Sequence, residues 1–146
     1  MTHEYVSAND AERARLDALL SRLTDRDLAL TLPNGLSVAA TLVHLAFWDR
    51  YAQSALESYR DSGFVDSQTN FEAINSALLV LAAAIPVSQV IEMARAAAQA
   101  VDAEAEAVSP ELARTIEDAG KRRTLERAQH RRVHVDQIEQ RLSTSQ

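Results

Sequence analysis

From Val38 to Arg60 the chain runs without a glycine or a proline, and its apolar residues return at helical spacing. Leu42, Leu45, Asp49, Ala52 and Leu56 fall on one side of such a helix, and Thr41, His44, Trp48 and Tyr51 on another. Both sides are largely apolar, so this helix is expected at the centre of the fold, covered over a wide arc. The rest of the chain obeys the same constraint. It contains three Gly and three Pro in 146 residues, and alanine is abundant. Few breakers and many helix formers predict an all-α protein.

The breakers that do occur divide the chain. Ser7 with Asp10 has the spacing of a capping box, and Leu16, Leu19, Leu20 and Leu23 follow as an amphipathic stripe. These predict a first helix over about 8–23, preceded by a loose tail over 1–6. Thr24 to Asp27 can cap one further turn. Pro33, Asn34 and Gly35 form a turn, and Ser37 is placed to cap the central helix over about 38–60. A third helix is expected from Gln68–Phe71 to about Ala84, where Pro86 interrupts and Ser88 offers a cap. A fourth covers 87–107 with Val90, Met93, Ala94, Ala97 and Val101 inward. Ser109-Pro110 opens a short helix over 110–117. After Gly120 a last helix runs over about 122–142. The expected architecture is a single domain, 1–146, folded as an up-and-down four-helix bundle with a short extra helix.

Inventory narrows the chemistry. There is no cysteine, so thiolate metal sites, disulfides and cysteine nucleophiles are excluded, and any metal must sit on imidazole or carboxylate. A formal net charge of −6 argues against general affinity for nucleic acid. There is no Gly-rich phosphate loop, Gly-x-Ser-x-Gly elbow or His-Glu-x-x-His motif. The N-terminal residues do not resemble a signal peptide. The apolar run Ala77–Val87 is far short of the roughly 20 residues that span a bilayer. A cytoplasmic protein with no membrane or nucleic-acid partner is expected.

Three histidines remain. His130 and His134 are spaced i, i+4 on the last helix, so their rings point the same way one turn apart. His44 lies on the apolar central helix, where an imidazole needs a partner. Taken singly, the pair reads as two surface residues and His44 as a satisfied core histidine. Taken together, they are expected to be the ligands of one divalent metal, and neutral imidazole suits zinc, nickel, iron or copper. Three His ligands leave a coordination position open, for water or for the thiolate of a cofactor. Gln137 shares the face of the pair and is the better candidate to orient it. Asp49 is expected to face away and pair with an arginine. Trp48 and Tyr51 share the face of His44, where bundle core is the first expectation and a pocket wall the second.

Charge is segregated near the C-terminus. Lys121, Arg122, Arg123, Arg127, Arg131 and Arg132 follow an acidic segment containing Asp102, Glu104, Glu106, Glu111, Glu117 and Asp118. The favoured expectation is a solvated face paired with its acidic neighbour, rather than an anion-binding rim. Arg123 and Arg127 share the histidine face.

Three stretches carry a family resemblance: Leu32-Pro-Asn-Gly-Leu-Ser-Val-Ala-Ala with Leu42-Val-His-Leu-Ala-Phe-Trp-Asp-Arg50, then Phe71-Glu-Ala-Ile-Asn75, then His130-Arg-Arg-Val-His-Val-Asp-Gln-Ile138. In order and separation they resemble the DinB-like (YfiT-like) superfamily of metal-dependent enzymes, which includes the metal-binding domain of mycothiol-dependent maleylpyruvate isomerases. The resemblance implies a four-helix bundle, often dimeric, with a divalent metal, zinc or nickel, on His44, His130 and His134. It implies thiol-dependent S-transfer or detoxification of reactive small molecules. Isomerase activity is not implied, because the further C-terminal domain of the isomerases has no counterpart here. The combined expectation is a metal-dependent enzyme acting on a small molecule, with a low-molecular-weight thiol as a possible cofactor and a homodimer as the assembly. Metal-dependent hydrolysis, or non-catalytic sequestration of a metal or small molecule, are the alternatives. No catalytic base can be named from the sequence.

Overall fold

The computed structural model describes residues 3–144, and they are all-helical. The helices are α1 (Glu4–Arg22), α2 (Asp25–Ala29), α3 (Val38–Ser62), α4 (Phe71–Ala82), α5 (Val87–Ala107), α6 (Pro110–Asp118) and α7 (Ala128–Thr144). A single 3-10 turn, Arg122–Thr124, precedes α7. No helix among the described residues is long and apolar enough to cross a membrane.

Local chemistry sets most boundaries. The Thr24 hydroxyl accepts from the Asp27 amide, and the Asp27 carboxylate accepts from the Thr24 amide, a closed capping box that starts α2. Gly35 takes φ +88, a conformation that costs side-chain-bearing residues energy, and lets the 31–37 connection fold back so that Ser37 caps α3. Asn70 and Ser109 cap α4 and α6 in the same way. Ser88 does not cap α5; it lies inside that helix, which begins directly after Pro86.

Two boundaries differ from the sequence expectation. Helix α1 begins at Glu4, and Ser7 lies within it, its hydroxyl donating to Glu4 O. The segment after Met1-Thr2 is therefore not a loose tail: Tyr5 is buried and donates to Ala105 O, and His3 Nε2 lies 2.7 Å from Val108 O. The last helix begins at Ala128 rather than 122, because Leu125 turns inward and is fully buried. Met1 and Thr2 of the expected tail, and Ser145 and Gln146 at the other end of the expected domain, lie outside the described residues.

Four helices enclose the core. Contacts of α1 advance along α7, from Asn9 beside Arg127 and Ala128 to Arg15 beside Asp136 and Glu139, so the two run parallel. Against α5 the order reverses, from Tyr5 on Ala105 to Asp17 on Arg95. Likewise α3 is antiparallel to α7, with Asp49 on Arg127 and His44 beside His134. Helix α4 runs back along α3, placing Phe71 and Asn75 at Trp48, and lies outside the ring of four. The small side chains Ala94, Ala97, Ala98 and Ala105 of α5 are all buried where that helix meets its neighbours.

The apolar interior forms two clusters. The larger gathers Leu16, Leu19, Leu20, Leu42, Leu45, Val90, Val135 and Ile138. The smaller gathers Tyr5, Val6, Leu56, Ala105, Ile116 and Leu125 at the other end. Between them, at the same level of all four helices, lies a polar layer of Asn9, Asp49, Asp102, Arg127 and Arg131, all buried.

Candidate metal centre

The site is built on α3 and α7 where they cross at this layer. The His130 and His134 rings project from consecutive turns of α7, and His44 reaches them from α3. His44 Nε2 lies 3.2 Å from His130 Nε2, and His134 Nε2 lies 3.1 Å from it. One ring nitrogen from each of the three lies within 4.8 Å of the others. A zinc ion held at roughly 2.0–2.1 Å in tetrahedral geometry keeps its donor nitrogens about 3.3 Å apart, so the two short edges already have the right length. The group could hold a metal ion.

Protonation agrees with that role. Burial, and then the neighbouring imidazole of His134, push His44 down to about 4 from its ordinary 6.5. Burial pushes His130 down to about 2, with His134, Arg127, His44 and Arg131 adding to the effect in that order. Burial also lowers His134, against the opposing hydrogen bond of Gln137. The rings are therefore neutral at physiological pH, the form in which imidazole ligates. Gln137 Oε1 lies 3.0 Å from His134 Nδ1, an acceptor that places the proton on Nδ1 and leaves the Nε2 lone pair facing the cluster.

Behind the histidines stands the buried charge layer. Arg131, with none of its surface exposed, forms a two-pronged bond to Asp102 at 2.7 and 2.8 Å and reaches Asp49 at 3.4 Å. Arg13 closes on the same Asp102 at 2.5 Å. Arg127 donates from Nε to Asp49 at 2.9 Å and from Nη1 to Arg123 O at 2.7 Å, while its Nη2 approaches His130 Nδ1 at 3.4 Å. Asp49 faces away from the histidines and pairs with arginines, as its position on the helix predicts. Asp136 pairs with Arg15 at the surface.

A cleft of about 990 Å³ opens in front of His44 and His130. Trp48, Tyr51, Phe71 and Asn75 line one side, and Arg123 and Arg127 are among those lining the other. Trp48 is thus both buried, as first expected, and part of the cleft wall, whereas Tyr51 is exposed on that wall. Trp48 packs against Phe47, Tyr51 and Phe71, and its indole N–H donates to Asn75 at 2.8 Å.

The basic segment divides three ways. Lys121 pairs with Asp66, Arg122 with Glu117 and Glu126, and Arg132 with Glu12, so this part is paired at the surface, although only Arg122–Glu117 joins the expected acidic segment. Arg127 and Arg131 instead enter the core, contrary to that expectation. Arg123 is exposed, lines the cleft, and its side chain makes no hydrogen bond or ion pair among the described residues.

Sequence reasoning passed over Asn9. Its amide oxygen accepts from both the Arg127 and Ala128 amides, and its Nδ2 donates to Leu125 O. A residue inside α1 therefore caps α7 and holds the first turn beneath the histidines. The available signal was an asparagine on the helix face that carries Tyr5, Leu16 and Leu20.

No protein-family model matches the chain, and comparison with curated proteins and with solved structures gives no match.

Proposed function

We propose that this protein is a metal-dependent enzyme acting on a small molecule, with a divalent metal, zinc or nickel, held by His44, His130 and His134. The observation that carries this reading is the convergence of three neutral imidazole nitrogens, two of them, on His44 and His130, lining a cleft of about 990 Å³. A bound ion would act there as a Lewis acid and lower the pKa of a nucleophile in its open position. The chain's own residues hold and orient: Gln137 fixes the His134 tautomer, Arg127 braces α7 against Asp49, and the aromatic wall keeps the adjacent volume apolar. The DinB-like resemblance of the His44 and His130–His134 stretches supports the same ligand set.

Among these enzymes a thiol-dependent transferase is the preferred type. Glu126 is the one carboxylate among the residues lining the cleft, and Arg122 engages it. A chemistry needing a free carboxylate base is poorly served, whereas a metal-activated thiol brings its own nucleophile. The same observation favours a second reading, sequestration of a metal or small molecule without turnover.

Elemental analysis of untagged protein separates these from a purely structural cluster. One metal per chain is expected, and His44→Ala, His130→Ala and His134→Ala should each lose it while retaining helical circular dichroism. Full metal retention in all three variants would remove the site. Multiple turnovers of an electrophile in the presence of a low-molecular-weight thiol support the transferase, and a single stoichiometric capture supports sequestration.

A further inference from the structure

We propose that the ligand of the cleft is a small organic carboxylate, bound by the guanidinium of Arg123 with its apolar body against Trp48, Tyr51 and Phe71. The inference deepens the proposed function and rests on it in one respect, that the cleft beside the histidines is the substrate site.

The argument begins with the cations at the cleft. Lys121 is held by Asp66 and by Ser67 O, Arg122 by Glu117 and Glu126, and Arg127 by Asp49 and Arg123 O. Each is neutralised or has its donors committed. Arg123 alone among these lining cations has a side chain without a protein partner. The nearest cations on either side of it in the sequence, Arg122 and Arg127, both find carboxylates, so lack of nearby acids does not explain it. A planar guanidinium matches a carboxylate through two parallel N–H donations, which makes the contact directional as well as charged. One free guanidinium fits one carboxylate. A multiply charged phosphate ester would meet a chain of net charge −6 with a single available cation.

The opposite wall specifies the rest of the ligand. Trp48, Tyr51 and Phe71 present a continuous aromatic surface, and the Asn75 amide fixes the Trp48 ring by accepting its N–H. A pinned aromatic wall favours a flat or apolar body over a polyhydroxylated one. The lining carboxylate, Glu126, is tied to Arg122 and does not compete for Arg123. The cleft therefore offers apolar packing on one side, a single unsatisfied cation on the other, and the histidines beside them.

Trp48 is the sole tryptophan of the chain, so its fluorescence reports the cleft directly. The experiment titrates benzoate, and separately benzamide as its neutral isostere, into the full chain with and without zinc. Arg123→Gln is compared with wild type, and Arg114→Gln, an exposed arginine away from the cleft, serves as control. Benzoate is expected to bind wild type and Arg114→Gln alike and to weaken at least about tenfold in Arg123→Gln. Benzamide is expected to be weaker and indifferent to Arg123. Equal binding of the two probes, unchanged benzoate affinity in Arg123→Gln, or no Trp48 response to benzoate would overturn the proposal. Benzoate binding that requires zinc but not Arg123 overturns it while leaving the metal reading intact. Arg123-dependent binding to a protein that takes up neither zinc nor nickel supports it and removes the metal reading instead.

Discussion

At the scale of single residues, three half-buried imidazoles meet, and their partial burial has a measurable cost in acid. His44 and His130 are harder to protonate in the fold than in the unfolded chain, where the ordinary value is 6.5. Below about pH 6.5 the unfolded chain therefore binds more protons, and folding stability must fall as pH falls. For metal-free protein the histidine contribution is complete above about pH 7. It is lost progressively toward pH 4, where His44 begins to protonate in place, and continues downward for His130. Thermal melts between pH 7 and 5 should thus show a steeper decline in wild type than in His130→Gln. Equal slopes would mean that the ring is not buried as described. Gln137 gives a second test: Gln137→Leu removes the acceptor on His134 Nδ1, and zinc affinity should drop about 10- to 100-fold with the fold intact. The histidines were legible because two lie one helical turn apart and the third sits on an apolar helix. Gln137 was legible for the same geometric reason. Arg131 was not, since its sequence neighbours are charged and solvated and nothing local marks it as the most buried cation in the chain.

Elements were legible wherever their boundaries are set by their own residues. The Thr24 box, the Pro33-Asn-Gly turn with Ser37, and Ser109-Pro110 all start helices where local chemistry predicts. Helix α7 starts where another element decides. The segment from Lys121 to Gln129 contains no breaker, so periodicity extends the helix back to 122. The actual start depends on Leu125 burying itself and on Asn9 of α1 accepting from the buried first-turn amides of Arg127 and Ala128. Asn9→Ala should remove that cap and strand two buried donors, costing about 1–3 kcal/mol in chemical denaturation. A loss below a few tenths would show that the first turn is satisfied otherwise. The charge layer that α7 contributes is more demanding. Arg131→Met leaves Asp102 with Arg13 alone and deprives Asp49 of a partner, a loss expected to reach about 3–5 kcal/mol. Adding Asp102→Leu to Arg131→Met should recover part of it, because an uncompensated buried carboxylate costs more than an apolar pair. No recovery would place the damage in packing rather than in stranded charge.

Across the whole molecule, the arrangement separates the work of the helices. The ring of α1, α3, α5 and α7 carries the core and the histidines, while α4 lies outside and contributes its inner residues Leu78 and Ala82 to the larger cluster. Its outer side is apolar as well. Val80 is 74% exposed and Leu81 64%, with Phe71 and Leu79 also open and Val87 following on α5. Scattered single apolar residues on a surface need no explanation, but a helix apolar on both sides is the pattern of an element covered twice. We propose that a homodimer would form through this face, one copy's α4 meeting the other's across a two-fold axis. Because Phe71 is part of both the outer face and the cleft wall, such pairing would also help close the cleft that Trp48 and Tyr51 line. Analytical ultracentrifugation should find dimers at micromolar concentration and monomers for Val80→Glu combined with Leu81→Glu. Both side chains are mostly exposed within one chain, so the double variant should keep its thermal stability at low concentration while losing self-association. A wild type that sediments as a monomer at high concentration would remove the dimer. A variant that unfolds instead of dissociating would show that these side chains serve the interior of one chain rather than the contact between two.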